Sequence, residues 1–346
     1  GLFPNDVTFI AMLKACGRAG AIHKGLQIHN EIINRGALAK DVSLCNALID
    51  MYAKCGVLKA AEEILTELLD RDVISWYNLI AGYVDQCQYH EALVSFEQME
   101  NEGLFPNANI FISVLQVCTK TGAINKGKQI HDKIVIMGLL NEHMVLGTAL
   151  VSMYAKCGLL TKAKEVLDRI PIRDTVCWST LIAGYSQQRQ YYEAFDCFER
   201  MQSEGLSPDD VSFSCILKVC GIMRDAEKGQ QIHNKIVMER LLLGKEEENM
   251  MLSTSLVDMY ARCGELPKAR QVLYGLPRQK VASWNALITG YTREGHADEA
   301  MACFNTMRHK GLTPDSITFV CILGVCGHTG SVWMGGKIHN EIIRQG

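Results

Sequence analysis

Self-similarity at a fixed period narrows the folds open to a chain more than any local pattern does, and this 346-residue chain repeats itself in three rounds. The phrase at Cys16, with Gly25, Ile28 and His29 behind it, returns at Cys118 with Gly127, Ile130 and His131. It returns again at Cys220 with Gly229, Ile232 and His233, and at Cys326 with Ile338 and His339. The first two steps are 102 residues and the third is 106. Between these phrases stand Met51-Tyr52-Ala53-Lys54-Cys55-Gly56, repeated at 153–158 and, with Arg for Lys, at 259–264. A third phrase opens on Trp76, Trp178 and Trp284 and closes on Gly82-Tyr83, Gly184-Tyr185 and Gly290-Tyr291.

Each 102-residue round divides into motifs of 36, 31 and 35 residues. The boundaries fall at 6–41, 42–72, 73–107, 108–143, 144–174, 175–209, 210–249, 250–280 and 281–315, with a tenth motif at 316–346 and the tail of a preceding one at 1–5. The four extra residues of the third round sit near Lys245–Glu248, a charged loop insertion of the kind stacked repeats tolerate. Within 42–72, Leu44, Leu48 and Met51 recur at helical spacing, Gly56 interrupts, and Ala61, Ile64, Leu65 and Leu68 resume the pattern. That predicts two amphipathic helices of about twelve residues each around a glycine turn. Strand signals, which alternate with period two, are absent. Small residues hold one register of the second helix: Ala61, Ala92, Ala163, Ala194, Ala269 and Ala300, with Gly25, Gly127 and Gly229 in the 36-residue motifs. One such hairpin cannot bury its apolar face, but stacked neighbours can. The expected fold is all-α, a single α-solenoid array over 1–346 wound as a right-handed superhelix with a concave surface.

Composition limits what such an array can do. A formal net charge of −3 excludes coating nucleic acid by bulk charge, so binding requires a local basic stripe. The 14 cysteines contain no Cys-x-x-Cys pair, which removes zinc ribbons and thioredoxin-type chemistry. They read as small apolar groups in a reducing environment. No apolar run approaches the length of a membrane helix. No cofactor, metal or small-molecule substrate is expected. Gly1 stands where an initiator Met would, nothing beside it reads as a targeting peptide, and the chain reads as part of something longer.

The 35-residue motifs end in Met99-x-x-x-Gly103-Leu104-x-Pro106-Asn107, Met201-x-x-x-Gly205-Leu206-x-Pro208-Asp209 and Met307-x-x-x-Gly311-Leu312-x-Pro314-Asp315. This resembles the pentatricopeptide repeat, and the 36/31/35 alternation is similar to its plant-type subclass of P, long and short motifs (PLS). The likeness covers essentially the whole chain. The tetratricopeptide repeat, with its 34-residue period, fits the uneven spacing poorly. The resemblance implies one-base-per-repeat reading of single-stranded RNA, residence in a mitochondrion or chloroplast, and a part in RNA processing or C-to-U editing with an enzyme acting in trans or lying outside this chain.

In that family the base is read by the fifth residue of a motif together with its last. Short polar side chains suit the task because they present donors and acceptors to a base edge. Asn46 with Asp72 and Asn285 with Asp315 resemble uracil-favouring pairs, Thr148 with Asp174 a guanine-favouring pair, and Ser179 with Asp209 a purine-favouring one. Tyr77 with Asn107 and Thr254 with Lys280 hold the same two positions but depart from the family's usual choices, and no base is assigned to them. The first motif of each round and the tenth motif, the long motifs, carry Ile10, Ile112, Ser214 and Val320 at the fifth position; these read as packing residues, or as letting a nucleotide pass unread. Asn5, Asp41, Asp72, Asn107, Asp174, Asp209, Asn249 and Asp315 each precede a helix start, where either residue type is a favoured cap worth about 1 kcal/mol. Capping alone explains that recurrence. It does not explain Asn, Thr or Ser at the fifth position, where such residues are neutral to unfavourable inside a helix.

Position thirteen holds Arg18, Lys54, Lys120, Lys156, Arg262 and Arg293. Eight residues past the fifth position is about 80° around a helix, so both can face one groove, as phosphate contacts or as cations favoured by the last helical turn. His29, His131, His233 and His339 sit one per long motif, too far apart to share a metal, and read as packed helix residues. Trp76, Trp178 and Trp284 read as packing between hairpins. A cytidine deaminase needs His-x-Glu plus Pro-Cys-x-x-Cys. His29-Asn30-Glu31 and His339-Asn340-Glu341 spell only the first half, in expected repeat helices, so the chain is not expected to be an enzyme. A solenoid that binds protein segments in its groove is the alternative role.

Overall fold

The computed structural model describes residues 4–35, 41–242 and 250–345, and among them finds twenty α-helices and no strand. The expected cap at Asn249 and the insertion at 245–248 lie outside the described residues. The chain divides after Arg173 into two compact units.

The first unit, residues 1–173, consists of five hairpins. They are α1 (Asp6–Ala19) with α2 (Ile22–Asn34), α3 (Val42–Lys54) with α4 (Leu58–Glu67), α5 (Val73–Asp85) with α6 (Tyr89–Asn101), α7 (Ala108–Thr121) with α8 (Ile124–Ile136), and α9 (Met144–Lys156) with α10 (Leu160–Arg169). The second unit, residues 174–346, has the same construction. It contains α11 (Thr175–Gln187) with α12 (Tyr191–Ser203), α13 (Asp210–Met223) with α14 (Ala226–Leu242), α15 (Met250–Arg262) with α16 (Leu266–Gly275), α17 (Val281–Arg293) with α18 (Ala297–His309), and α19 (Ser316–Thr329) with α20 (Val332–Gln345). Within each unit the first helix of a hairpin packs on the first helix of the next, α1 on α3 through α7 on α9, and α11 on α13 through α17 on α19. The second helices pack on their own first helices, so each unit has an inner layer of first helices and an outer layer of second ones.

Seven of these helices start on the caps read from the sequence. Asn5, Asp41, Asp72 and Asn107 in the first unit, and Asp174, Asp209 and Asp315 in the second, each accept a backbone N–H from the helix that follows. His143 and Lys280 stand at the same place before α9 and α17 and give no side-chain cap.

The three recurring phrases fit into one another. A Cβ placed on Gly25 would lie 2.5 Å from the sulfur of Met51, one on Gly127 2.9 Å from that of Met153, and one on Gly229 2.3 Å from that of Met259. Glycine is therefore required in that register because the methionine of the next motif fills the notch. A Cβ on Gly82 or Gly290 would likewise lie 2.6 or 2.8 Å from Cβ of Ala53 or Ala261. His29, His131 and His233 each hold Nδ1 against the hydroxyl of Tyr52, Tyr154 and Tyr260 on the next hairpin, at 2.7, 2.9 and 2.9 Å. Burial lowers the pKa of all three rings. His339 is exposed. The indoles of Trp76 and Trp178 are buried and donate to Glu102 and Glu204 at 3.0 and 3.1 Å. Trp284 is equally buried, but its N–H is unpartnered, because Lys310 stands where those glutamates do. The 14 cysteines are free thiols. Burial raises those of Cys118 and Cys303 to about 11, which leaves them as packing groups rather than nucleophiles.

Candidate nucleic-acid interface

The fifth residue of a motif lies one turn into the inner-layer helix, and the last residue stands at the cap position of the inner-layer helix that follows. In two motifs, stacking those two helices side by side brings the two residues into hydrogen-bond contact. In the first unit Asn46 Nδ2 lies 3.2 Å from each carboxylate oxygen of Asp72. The Ser75 hydroxyl lies 2.5 Å from Asn46 Oδ1 and 2.8 Å from Asp72 Oδ1, and its backbone N–H donates to the same Asp72 oxygen at 2.7 Å. In the second unit Asn285 Nδ2 donates to Asp315 Oδ1 at 2.9 Å. The Thr318 hydroxyl lies 2.6 Å from Asn285 Oδ1 and 2.8 Å from Asp315 Oδ1, and Thr318 N–H caps at 2.8 Å.

Capping and side-chain positioning are therefore one device: the helix start fixes the aspartate, and the aspartate fixes the asparagine. The network also settles which end of each amide is which, since the carboxylate requires nitrogen and the hydroxyl proton requires oxygen. Asn46 and Asn285 are only 8% and 5% exposed, and each keeps one amide N–H beyond the one spent on the carboxylate. A held donor of this kind suits a base edge that presents a carbonyl. Burial pushes Asp72 and Asp315 up, but the hydrogen bonds from Ser75 and Asn46, and from Thr318 and Asn285, outweigh it and hold both below the usual carboxylate value.

The other pairs are built differently. Thr254 meets the hydroxyl of Ser283 at 2.9 Å, and Lys280 is exposed without capping α17. Ser179 is 5% exposed and donates to the Val176 carbonyl at 3.2 Å, while Asp209 caps α13 through Ser212. Thr148 is half-buried in the first unit, its hydroxyl 3.3 Å from the Met144 carbonyl, and Asp174 caps α11 in the second. Tyr77 is half-buried and Asn107 exposed as the cap of α7. Of the long motifs' fifth residues, Ile10 and Ile112 are half-buried and Val320 is 70% exposed.

Arg18, Lys54, Lys120, Lys156, Arg262 and Arg293 all fall in the last turn of inner-layer helices. Lys54 pairs with Asp50 at 2.7 Å and Arg262 with Asp258 at 2.6 Å, each one turn earlier. Both pairs are partly exposed, where such contacts contribute little and yield readily to another anion.

One group of residues escaped sequence reasoning. The second residue of most motifs is apolar and exposed: Val7, Ile74, Val145, Val176, Val211, Met251 and Ile317, between 45% and 73%. It stands three residues before the fifth residue, on the same helix face. In the second unit a cavity of about 710 Å³ is lined by Met251, Ile317, Ser214, Thr254, Asn285 and Asp315, which puts apolar walls beside polar side chains. The available signal was an apolar residue held in a solvent-facing register of the first helical turn, motif after motif. Both His-x-Glu spellings lie in helices, α2 and α20. Among the described residues no group of three or more potential ligands could hold a metal, and no helix is long and apolar enough to cross a membrane.

Residues 7–36, 43–73, 74–104, 148–173 and 253–281 match the PPR repeat, and residues 173–221 and 279–328 match the PPR repeat family, together well over half of the chain. The chain belongs to the pentatricopeptide repeat family. A pentatricopeptide repeat-containing protein of Arabidopsis thaliana is 34% identical over 341 residues, covering 99% of this chain and 46% of the relative. A mitochondrial one from the same plant is 33% identical over 339 residues, covering 98% of this chain and 32% of the relative, and a chloroplastic one is 32% identical over 324 residues, covering 94% and 51%. This pentatricopeptide repeat chain thus spans a third to a half of the length of these relatives. Among solved structures, the pentatricopeptide repeat protein PPR10 in complex with an 18-nt psaJ RNA element superposes with a TM-score of 0.67 at 17% identity, over 98% of this chain and 56% of that one. PPR10 from maize gives 0.57 at 19% identity, over 99% and 59%. The shared fold is the α-solenoid.

Proposed function

We propose that this chain binds single-stranded RNA along its inner-layer helices and reads bases at its fifth positions. The observation that carries the reading is the twice-built constellation of Asn46, Asp72 and Ser75 and of Asn285, Asp315 and Thr318. Each buries an asparagine yet leaves one amide N–H held in a fixed direction. A purely structural asparagine would be spared this arrangement, because mid-helix it costs stability relative to alanine. The solved PPR10–RNA complex supports the class of ligand. Apolar second residues, such as Met251 and Ile317 beside Asn285, would cover the faces of a base whose edge is read.

In this reading the ten motifs form one continuous PLS-type array with the boundaries given above. The second and ninth motifs favour uracil, the fifth guanine and the sixth a purine, with the N-terminal motifs toward the RNA 5′ end. Arg18, Lys54, Lys120, Lys156, Arg262 and Arg293 hold phosphates. The parent protein works in a mitochondrion or chloroplast, as several relatives' names state of themselves, and directs RNA processing or C-to-U editing carried out by an enzyme outside this chain.

Selection of bound RNA from a random pool tests this directly. Asn285→Thr moves the preferred base at one site from U to G, by about 1–3 kcal/mol, and leaves the others alone. The same base at that site after the change, with only a uniform loss of affinity, overturns the reading. So does equal affinity for a hairpin stem and an unstructured strand, because A-form duplexes hide base edges. Failure on both counts, with capture of a protein segment instead, favours the scaffold role.

A further inference from the structure

The buried indoles differ from round to round in what surrounds their N–H. In the first round α4, α5 and α6 enclose a cavity of about 390 Å³ lined by Glu62, Arg71, Trp76 and Glu102. Glu102 accepts the Trp76 indole N–H at 3.0 Å and pairs with Arg71. In the second round Glu204 accepts from Trp178 at 3.1 Å, and Arg173 holds the register of Arg71.

The third round keeps the tryptophan and exchanges its partners. Lys310 replaces the glutamate and Gln279 the arginine, while Arg270 holds the register of Glu62. Positions that carry two glutamates and one arginine in the first round thus carry two cations and no acid. Trp284 is 0% exposed, and its Nε1–H has no partner. Nor has the buried Oε1 of Gln279, whose amide N–H donates to the Leu273 carbonyl at 3.0 Å. Among the described residues neither Arg270 nor Lys310 forms an ion pair. Both instead stand over the ring of Tyr274, 5.3 and 5.7 Å from its centre. That ring is 41% exposed and meets the indole T-shaped at 5.6 Å; the earlier rounds have Thr66 and Asp168 in its register. An aromatic ring is a weak acceptor beside a carboxylate. A buried N–H without a partner lowers stability, and phenylalanine would fill much the same space without one. Packing therefore does not account for the tryptophan.

We propose that the place framed by α16, α17 and α18 is a docking site for a glutamate side chain of a partner protein. The partner's carboxylate accepts the Trp284 N–H, as Glu102 and Glu204 accept theirs, between the cations of Arg270 and Lys310. Tyr274 turns aside to admit it, and a backbone N–H of the same acidic segment is the donor that Gln279 Oε1 requires. Two features favour a carboxylate over an RNA phosphate. The chain itself sets a carboxylate on this indole twice. Moreover, α16 and α18 belong to the outer layer, whereas the proposed RNA path follows the inner one. The inference stands apart from the base reading.

The test follows the indole N–H signals of the four tryptophans in the ¹⁵N-labelled chain. A blocked hexaglutamate peptide is titrated in at about 0.15 M salt, where loose surface attraction is screened. The Trp284 signal should move while those of Trp76 and Trp178, already held by glutamates, stay. Trp284→Phe assigns the signal and weakens the peptide about tenfold, as expected for one hydrogen bond to a charged group. The double variant Gln279→Arg with Lys310→Glu installs the residues that the first two rounds carry, so it keeps the fold. It holds the Trp284 N–H internally, and hexaglutamate should then no longer move that signal. A stationary Trp284 signal in the unaltered chain, an equal response to blocked hexaglutamine, or an undiminished response in the double variant overturns the proposal. So does a stronger response to inorganic phosphate or to an unstructured oligouridine, which would make the place a free-anion or nucleic-acid contact. RNA selection with the double variant should return the same bases as the unaltered chain, so the two readings fail separately.

Discussion

The ninth and eighth motifs are neighbours in one unit, start on helices of the same length, and hold their fifth residues in opposite ways. Asn285 is gripped by a carboxylate that also caps α19, and a hydroxyl closes the circuit. Thr254 meets the hydroxyl of Ser283, and Lys280, in place of the aspartate, leaves α17 without a side-chain cap. The difference teaches that the last residue of a motif does two jobs through the same oxygen. Replacing it changes the stability of the next helix and the freedom of the reader together.

The largest effect that could break this comparison is Asp315→Ala. It removes a cap and strands the Asn285 amide and Thr318 hydroxyl, so loss of about 2–3 kcal/mol is expected. Lys280→Ala at the corresponding place changes stability by less than about 0.5 kcal/mol. Amide exchange of the first turns of α19 and α17 reads both locally, as suits an array whose stability is a sum of neighbour terms. Equal protection losses at the two sites would contradict the shared-oxygen account.

Lys280→Asp is the complementary change and a smaller one. It supplies the missing cap to α17, a gain of about 1 kcal/mol, and ends the eighth motif on the residue type that ends the fifth, Asp174. Selection should then return guanine at the eighth site. A gain in stability with no gain in base preference would separate the two jobs.

Acid gives the finest distinction. Asp315 is held below its ordinary value of 3.8, so its contribution is complete above about pH 5 and is lost as pH falls through the folded value. The eighth motif has no such group at its end. Its helix α15 instead carries Tyr260 against His233, whose pKa burial lowers from 6.5. The folded state disfavours the charged ring, so that contribution is present above pH 6.5 and is lost as pH falls below it. Exchange protection should therefore drop first around Tyr260, once the pH falls below 6.5, and at the start of α19 only once it falls below 3.8.

Much of this was legible beforehand because repetition magnifies weak signals. The glycine turns, helix pairs and aspartate caps each recur, and the pairing of fifth with last residue followed from the family resemblance. The third partner did not: Ser75 and Thr318 look like ordinary capping-box residues, and their second contact, to an asparagine about 30 positions earlier, exists only once two helices stack. The sequence showed glycine in a small-residue register but not that Met51, Met153 and Met259 fill the notches. Nor does it reveal the bare indole of Trp284, since a lysine at residue 310 reads as an innocuous surface change until the lost glutamate contact is seen.

Those notches bear on how such arrays grow and can be rebuilt. The 36-residue motif offers a socket that accepts a methionine, the 31-residue motif carries the methionine and an alanine, and the 35-residue motif offers the socket for that alanine. Adjacent motifs are thus keyed to one another like differently gauged couplings. A gene duplication that copies one motif alone joins mismatched ends, whereas copying a whole round joins matched ones. Lengthening or recoding this array by splicing should succeed in blocks of three, with the cuts placed where one round hands over to the next.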